Sequence, residues 1–201
     1  MASHMNRSRF LKNMLGFGLL SSLGCRVDND QTKSTTSLAD INTKADKAAT
    51  NGLRKELIAA WHKSETMTMT NVEQMPPAFF TFKYTDEAMT FSEQWRHCVI
   101  YTCGQLAGRA GIKNPYENVM LPVQMSKEDI VKELKNMYTY VRRSIRELPD
   151  EKLLSNCDFA GDTIPVWRLF YAMENHIIHH RGQCVVYLRL NGVVPKGFYG
   201  W

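Results

Sequence analysis

The spacing of large apolar residues predicts four long helices in the chain. Leu53, Leu57, Ile58 and Trp61 recur three and four residues apart, which places their side chains on one face of an α-helix. Comparable stretches follow, each bounded by residues that favour the start or the end of a helix. The predicted helices cover approximately residues 51–73, 91–108, 126–148 and 165–190.

Capping and helix-breaking residues mark the ends of these helices. Pro76 and Pro77 end the first helix, and Thr90 with Glu93 three residues later predicts a capping box at the start of the second. Gly192 follows the last helix, as glycine often does. Residues 152–163 are expected to cross back without forming strands. Four helices joined by loops indicate an all-α four-helix bundle.

The segment that ends at Cys25 has the composition of an export signal. Residues 1–4 resemble residues added by a cloning vector, so we expect the natural chain to begin at Met5. Basic residues then precede an apolar stretch, residues 14–23, which is shorter than the about 20 residues that cross a bilayer. Cys25 itself resembles the lipidated cysteine of a bacterial lipoprotein. The pattern predicts an exported, periplasm-facing protein that touches the membrane only through a lipid on Cys25; a cytoplasmic protein is the alternative.

Residues 26–50 are expected to form a polar, flexible tether. Asp, Asn, Thr, Ser and Lys dominate this stretch, and few large apolar side chains are present to offset the entropy of ordering it. An earlier start of the first helix, from Leu38, is the alternative. The chain would then consist of vector residues and signal (1–25), tether (26–50) and one helical domain (51–201).

Composition argues against a nucleic-acid-binding protein. The net charge is +5 over 201 residues, and much of the basic excess lies near the N-terminus. Lysine and arginine elsewhere are interleaved with aspartate and glutamate, whereas a nucleic-acid-binding face usually carries a basic stripe. The chain has 201 residues, of which 44% are hydrophobic, and this is enough for one domain with a sizeable core.

Histidines supply the candidate chemistry. His176 and His180 are four residues apart, so a helix separates them by about 40° of rotation and about 6 Å of rise. Such a pair can share one metal ion, although surface or core packing is the alternative for a pair alone. A metal site with an open position needs a third protein ligand. His97, in an apolar part of the second helix, is the leading candidate, and a hydrogen-bonded core histidine is its alternative.

Two blocks of the sequence resemble the DinB-like metalloprotein family. Residues 174–183 read Glu-Asn-His-Ile-Ile-His-His-Arg-Gly-Gln, and residues 89–97 read Met-Thr-Phe-Ser-Glu-Gln-Trp-Arg-His. The resemblance covers approximately residues 53–195. It implies a four-helix bundle in which one histidine of the second helix and two of the fourth hold a metal ion. Carried over to this chain, the implied ligands are His97, His176 and His180.

The resemblance also implies a function. Related proteins with assigned activities resemble thiol-dependent S-transferases or isomerases, so a metal-dependent transferase, or a related hydrolase, is the first hypothesis. A low-molecular-weight thiol and a small-molecule substrate are the expected partners. Zinc or nickel is the first choice of ion, and iron, manganese and cobalt also suit three imidazoles. A non-catalytic metal-binding envelope lipoprotein is the second hypothesis, and a homodimer is expected because such bundles often dimerise.

Supporting roles are assigned to a few further residues. Tyr101, one turn after His97, and Arg181 are expected to orient the substrate, with a core-edge tyrosine and a surface arginine as the alternatives. His179 is assigned either to the rim of the site or to an exposed position, and His62 to solvent, to packing or to the cavity lining. The bundle cysteines are expected to be free thiols, with Cys184 a core residue or a thiolate ligand. A third hypothesis, an interaction module, rests on the aromatic residues Phe198, Tyr199 and Trp201.

Overall fold

A computed structural model of the chain describes the backbone of residues 38–197 and the side chains of residues 43–197. The expected signal, the expected lipidation site and the aromatic C-terminus lie outside the described residues. The described chain contains the following elements: α1 (Leu38–Gln74), a 3₁₀ turn (Pro77–Phe79), α2 (Phe91–Ala110), α3 (Lys127–Glu147), α4 (Asp150–Leu154), β1 (Asn156–Phe159), β2 (Asp162–Pro165) and α5 (Val166–Leu190). None of the helices in residues 38–197 has the length and apolar character to cross a membrane.

The four long helices form a closed bundle, which confirms the predicted all-α fold. Helix α1 packs against α3 and α5, and α2 packs against the same two helices, so that α1 and α2 lie diagonally opposite each other. Large side chains from all four helices are fully buried between them, among them Trp61, Trp95, Tyr138 and Tyr187. The packing of α2 against α5 is the contact that positions the histidines.

Helix α1 begins at Leu38 rather than near residue 51, in agreement with the alternative start. Residues 38–50 of the predicted tether are therefore helical. Alanine and lysine, which have high helix propensity, are common in this stretch and outweigh its polar character. Thr50 at its end is already buried, and its hydroxyl donates to the backbone carbonyl of Asp46 at 3.0 Å.

The segment between α3 and α5 contains a β-hairpin, and the expectation that it has no strands is wrong. Strands β1 and β2 pair antiparallel, with Phe159 opposite Asp162. The two residues of the turn, Ala160 and Gly161, have φ angles of 53° and 87°. Positive φ at both central residues is the geometry of the tight turns that match the right-handed twist of paired strands.

Local capping signals are confirmed at the helix ends. The Thr90 hydroxyl accepts from the backbone N–H of Glu93 at 3.2 Å, and the Glu93 carboxylate accepts from the backbone N–H of Thr90 at 2.7 Å. Gly111 ends α2 in the left-handed conformation with φ 68°. Helix α5 begins at Val166, with Pro165 in the capping position rather than in the first turn. The start of α2 at Phe91 lies six residues before His97.

Candidate metal centre

The packing of α2 against α5 brings the three predicted histidines together. The Nε2 atom of His176 lies 3.2 Å from Nε2 of His97 and 3.1 Å from Nε2 of His180. Two ligands held about 2.0–2.1 Å from a tetrahedral ion are about 3.3 Å apart, so these separations fit a shared ion. Within the described residues, these three side chains form a group that could hold a metal ion.

The three imidazoles are suited to donate lone pairs at neutral pH. Burial lowers the pKa of His97, and Arg96 lowers it further. Burial and the neighbouring histidines lower the pKa of His176 to about 4 and that of His180 to about 4. A metal binds the neutral form of imidazole, so ligation here needs little or no proton release at pH 7.

A chain of buried hydrogen bonds sets the orientation of His180. Its Nδ1–H donates to Oε1 of Gln94, and Nε2 of Gln94 donates to the hydroxyl of Tyr187 at 3.4 Å. The Tyr187 hydroxyl in turn donates to the backbone carbonyl of Met89. With the proton on Nδ1, the Nε2 lone pair of His180 faces the other two histidines.

Gln94 and Tyr187 are site residues that the sequence interpretation missed. Gln94 precedes His97 by three residues and Tyr187 follows His180 by seven, so both lie near the histidine-bearing faces of their helices. This spacing could have identified them as candidates. An amide and a phenol in the core also call for hydrogen-bond partners, and in this fold they are each other's partners.

Tyr101 lies beside the histidines, where the sequence placed it. Its ring stacks on the imidazole of His176 with ring centroids 4.4 Å apart, and its centroid is 5.4 Å from that of His97. Among the residues that the structure describes, the Nδ1 atom of His176 is buried without a hydrogen-bond partner. His176 is therefore held by ring contacts and by its neighbours' nitrogens rather than by a fixed acceptor on Nδ1.

Arg181 lies on the side of α5 away from His176 and His180, where it contacts α1. It is only 8% exposed, so the surface alternative is wrong. Its guanidinium donates to the backbone carbonyl of Ser64 at 3.3 Å and to the hydroxyl of Thr68 at 3.3 Å, both on α1. The orienting role expected of Arg181 at the histidine group stays a prediction, because its described contacts are with α1.

The remaining candidates lie outside the histidine group. His179 is exposed and contacts the amide of Gln183 at 2.8 Å, and His62 is exposed on α1. Cys184 is fully buried in the core, and burial raises the pKa of its thiol well above the usual value. The described cysteines are free thiols, as expected: Cys98, Cys103, Cys157 and Cys184.

Comparisons with known proteins agree with the helical bundle. The sequence model of the DinB family matches residues 42–201. The chain belongs to the DinB family. A comparison with curated proteins finds no match.

Solved structures of DinB-like proteins share the fold. One, from Bacillus cereus, is 22% identical with a TM-score of 0.62, and one from Bacillus subtilis is 19% identical with a TM-score of 0.58. Each comparison covers 72% of this chain and 97% of the other. At this level of identity the likeness concerns the fold. DinB-family membership and the three-histidine group together fit a metal-binding protein.

Proposed function

We propose that this DinB-family protein is a metal-dependent enzyme that acts on a small molecule, with thiol-dependent S-transfer as the first reaction class and hydrolysis or isomerisation as related ones. The observation that carries the proposal is the convergence of three neutral imidazoles of which two, His97 and His176, keep part of their surface in contact with solvent. A divalent ion held there supplies Lewis-acid activation of a thiol or of water.

Residues around the three histidines keep the imidazoles oriented and unprotonated for metal binding. Gln94 keeps the Nε2 lone pair of His180 directed at the group, and burial keeps the imidazoles unprotonated and ready to bind. Tyr101 borders the group from the α2 side, where its ring limits how a substrate enters and its hydroxyl orients one. Zinc or nickel is the proposed ion, and iron, manganese and cobalt suit the same donors.

A non-catalytic metal-binding role is the second candidate, and one observation favours it. One cavity, of about 250 Å³, lies between α1 and α5 and is lined by none of the three histidines. A second cavity lies over α2 beside Arg96 and Ile100, again without a histidine in its lining. Catalysis on a small molecule usually takes place in a cavity that encloses most of it.

Metal analysis tests the site itself. The purified chain should carry about one transition ion, because three imidazoles form one centre. His97→Ala and His176→Ala should each lose most of that ion, whereas His62→Ala and His179→Ala, which change exposed histidines outside the group, should retain it. Full occupancy in His97→Ala would refute the three-histidine site.

A thiol screen separates the two candidate functions. Metal-loaded protein is mixed with glutathione, cysteine or coenzyme A and with the electrophile 1-chloro-2,4-dinitrobenzene, and conjugate formation is followed by absorbance. The enzyme proposal expects a rate above the uncatalysed one that disappears in His97→Ala and falls in Tyr101→Phe. If metal-loaded protein gives no rate with these thiols, and none with hydrolysable esters, the non-catalytic role is the better account.

Export and lipid attachment are proposed for the N-terminal segment, together with a homodimer. Feeding the producing cells with a labelled fatty acid should label the chain, and Cys25→Ser should abolish the label and release the protein from the membrane fraction. A chain that takes up no label in its native host would contradict the lipoprotein proposal. Light scattering of the soluble domain measures whether it forms the dimer.

A further inference from the structure

The α1–α5 cavity carries features of a ligand site that is separate from the metal centre. Its α5 lining includes Ile178, Arg181 and Val185, which leave the helix about half a turn away from His176 and His180. The two sites therefore lie on opposite flanks of one helix. At about 250 Å³, the cavity is near the lower end of the size range of small-molecule pockets.

Among the described residues, the charged side chains that line the cavity are all positive: Lys63, Arg181 and Lys196 line it, and no described aspartate or glutamate does. Within residues 43–197, none of these three side chains takes part in an ion pair within 4 Å. Glu174 is an acidic residue close enough to interact with Arg181; burial raises its pKa, and Arg181 and a hydrogen bond to Ser64 lower it by less. A buried guanidinium that donates to neutral oxygens retains the capacity to bind an anion.

Asn71 adds an independent observation, because its buried side chain calls for a hydrogen-bond donor. This cavity-lining residue is only 5% exposed, and within residues 43–197 its side-chain oxygen Oδ1 is buried without a hydrogen-bond partner. Leaving a buried acceptor unpaired is costly, so a ligand that brings an N–H or O–H donor to this oxygen would recover that cost. Met67, Ile178 and Val185 supply apolar surface beside these polar groups.

We propose that the α1–α5 cavity binds a small amphiphilic anion with three parts: an apolar body of the size of an aromatic bicycle, one carboxylate, and one hydrogen-bond donor. Arg181 holds the carboxylate, and Lys63 and Lys196 attract it. Asn71 accepts from the donor, and the apolar side chains contact the body. Binding does not depend on the function proposed for the histidine group.

Indole-3-acetate is the probe, because it combines an indole body, an N–H donor and a carboxylate. Titration calorimetry with the full chain should give saturable binding with a dissociation constant below about 1 mM. Two analogues test the parts separately. 1-Methylindole-3-acetate lacks the donor and 3-methylindole lacks the carboxylate, and each should bind about tenfold more weakly or worse.

Variants place the probe in the cavity. Gly182 lines it, and a Cβ built there meets no atom within 4 Å, so Gly182→Leu should fill the cavity without a backbone clash and abolish binding. Gly104→Leu is the matched control, since Gly104 lies in α2 with equally open surroundings and does not line the cavity. Asn71→Leu should erase the preference for indole-3-acetate over its N-methyl analogue while leaving the preference over 3-methylindole.

Several results would overturn the proposal. One is the absence of saturable binding to the folded full chain. This includes the case in which only a chain lacking residues 198–201 binds, because the cavity would then be a binding site for the chain's own C-terminal residues. Undiminished binding to Gly182→Leu is another. Loss of binding in His176→Ala would place the probe at the metal centre instead. Retained binding in His176→Ala supports the cavity whatever the outcome of the metal and thiol tests.

Discussion

His180 is the most constrained of the three histidines. It is only 7% exposed, and its Nδ1–H is fixed by the Gln94–Tyr187–Met89 chain of hydrogen bonds. His176, by contrast, has no hydrogen-bond partner for Nδ1 in the described part of the chain and is positioned by its stacking on Tyr101. The group thus combines one rigidly oriented donor with one that can adjust its ring when an ion binds.

Removing the Gln94 oxygen that accepts from Nδ1–H of His180 should weaken metal binding. Gln94→Leu keeps the size of the side chain but leaves Nδ1–H of His180 unpaired, so zinc affinity should fall about 10- to 100-fold, as for other partners of metal-bound histidines. Competition with a chromophoric chelator measures the affinity. Gln105→Leu is the control, because Oε1 of Gln105 has no hydrogen-bond partner to lose among the described residues. Equal affinities in the two variants would contradict the orienting role of Gln94.

The cysteines should differ sharply in their reactivity with alkylating agents. Cys98, Cys103 and Cys184 are fully buried, and burial raises the pKa of all three, that of Cys103 to about 12. Partial burial raises the pKa of Cys157 as well, but this thiol is partly exposed on β1. In a Cys25→Ser background, iodoacetamide should therefore modify Cys157 first, because the thiolate is the reactive form and needs access to the reagent.

Mass spectrometry of the native protein over time follows this reaction. Adding Cys157→Ser should remove the fast phase, and denaturant should restore rapid labelling of the other three thiols. Fast labelling of Cys184 in the folded protein would mean that the core near α5 opens more readily than its burial suggests.

Helix α2 is followed by Gly111, which adopts a backbone conformation that glycine favours. Gly111 adopts φ 68°, and its N–H donates to the carbonyl of Ala107 at 3.1 Å. An L-residue in this region of φ pays a steric cost that glycine avoids. Three residues earlier, Gly108 lies inside the same helix, where glycine loses more backbone entropy on folding than alanine.

The two glycines should therefore respond to alanine in opposite directions. Gly111→Ala should lower the free energy of unfolding by about 1–2 kcal/mol. Gly108→Ala should raise it by about 0.5–1 kcal/mol, because no atom lies within 4 Å of the added Cβ. Urea denaturation followed by circular dichroism measures both. A stabilised Gly111→Ala would show that the α2 terminus can relax away from the left-handed conformation.

Signals confined to a few neighbouring residues could be read from the sequence. The capping box at Thr90 depends on one three-residue spacing, and the His176–His180 pair on one turn of helix. The hairpin was missed because its turn places Ala160 at positive φ, a conformation that alanine does not favour, so composition offered only Gly161 as a cue. The Gln94–Tyr187 contact could not be predicted because it depends on how α2 and α5 pack.

Helix α5 connects the two candidate sites of the domain. One flank carries His176 and His180, and the other carries Arg181 and the lining of the α1–α5 cavity. The family resemblance supplies the third histidine of the candidate metal site, whereas the cavity requires the three-dimensional packing of α1 on α5. Spacing along one helix shows which residues share a face, but it does not show which other helix packs against that face. The sequence therefore could not show that Arg181 contacts α1 instead of the histidine group.

Metal binding should stabilise the whole domain. An ion that binds only the folded state adds about 2.7 kcal/mol when its free concentration is 100 times the dissociation constant. For a domain of this size the melting temperature should rise by about 5–10 °C. Scanning calorimetry with zinc and then with a chelator measures the shift, which His97→Ala should lose and His62→Ala should keep. An unchanged melting temperature on chelation would indicate that folding and metal binding are not coupled.

The length of α1 has a consequence for hydrogen exchange. At 37 residues the helix is about 55 Å long, whereas α3, against which it packs, has 21 residues and spans about 32 Å. Described side chains before Thr50 are exposed, and those of Leu57 and Trp61 are fully buried. A helical turn without packed neighbours opens easily in water. Amide protons near Lys47 should therefore exchange with solvent far sooner than those near Trp61, although both belong to one continuous helix.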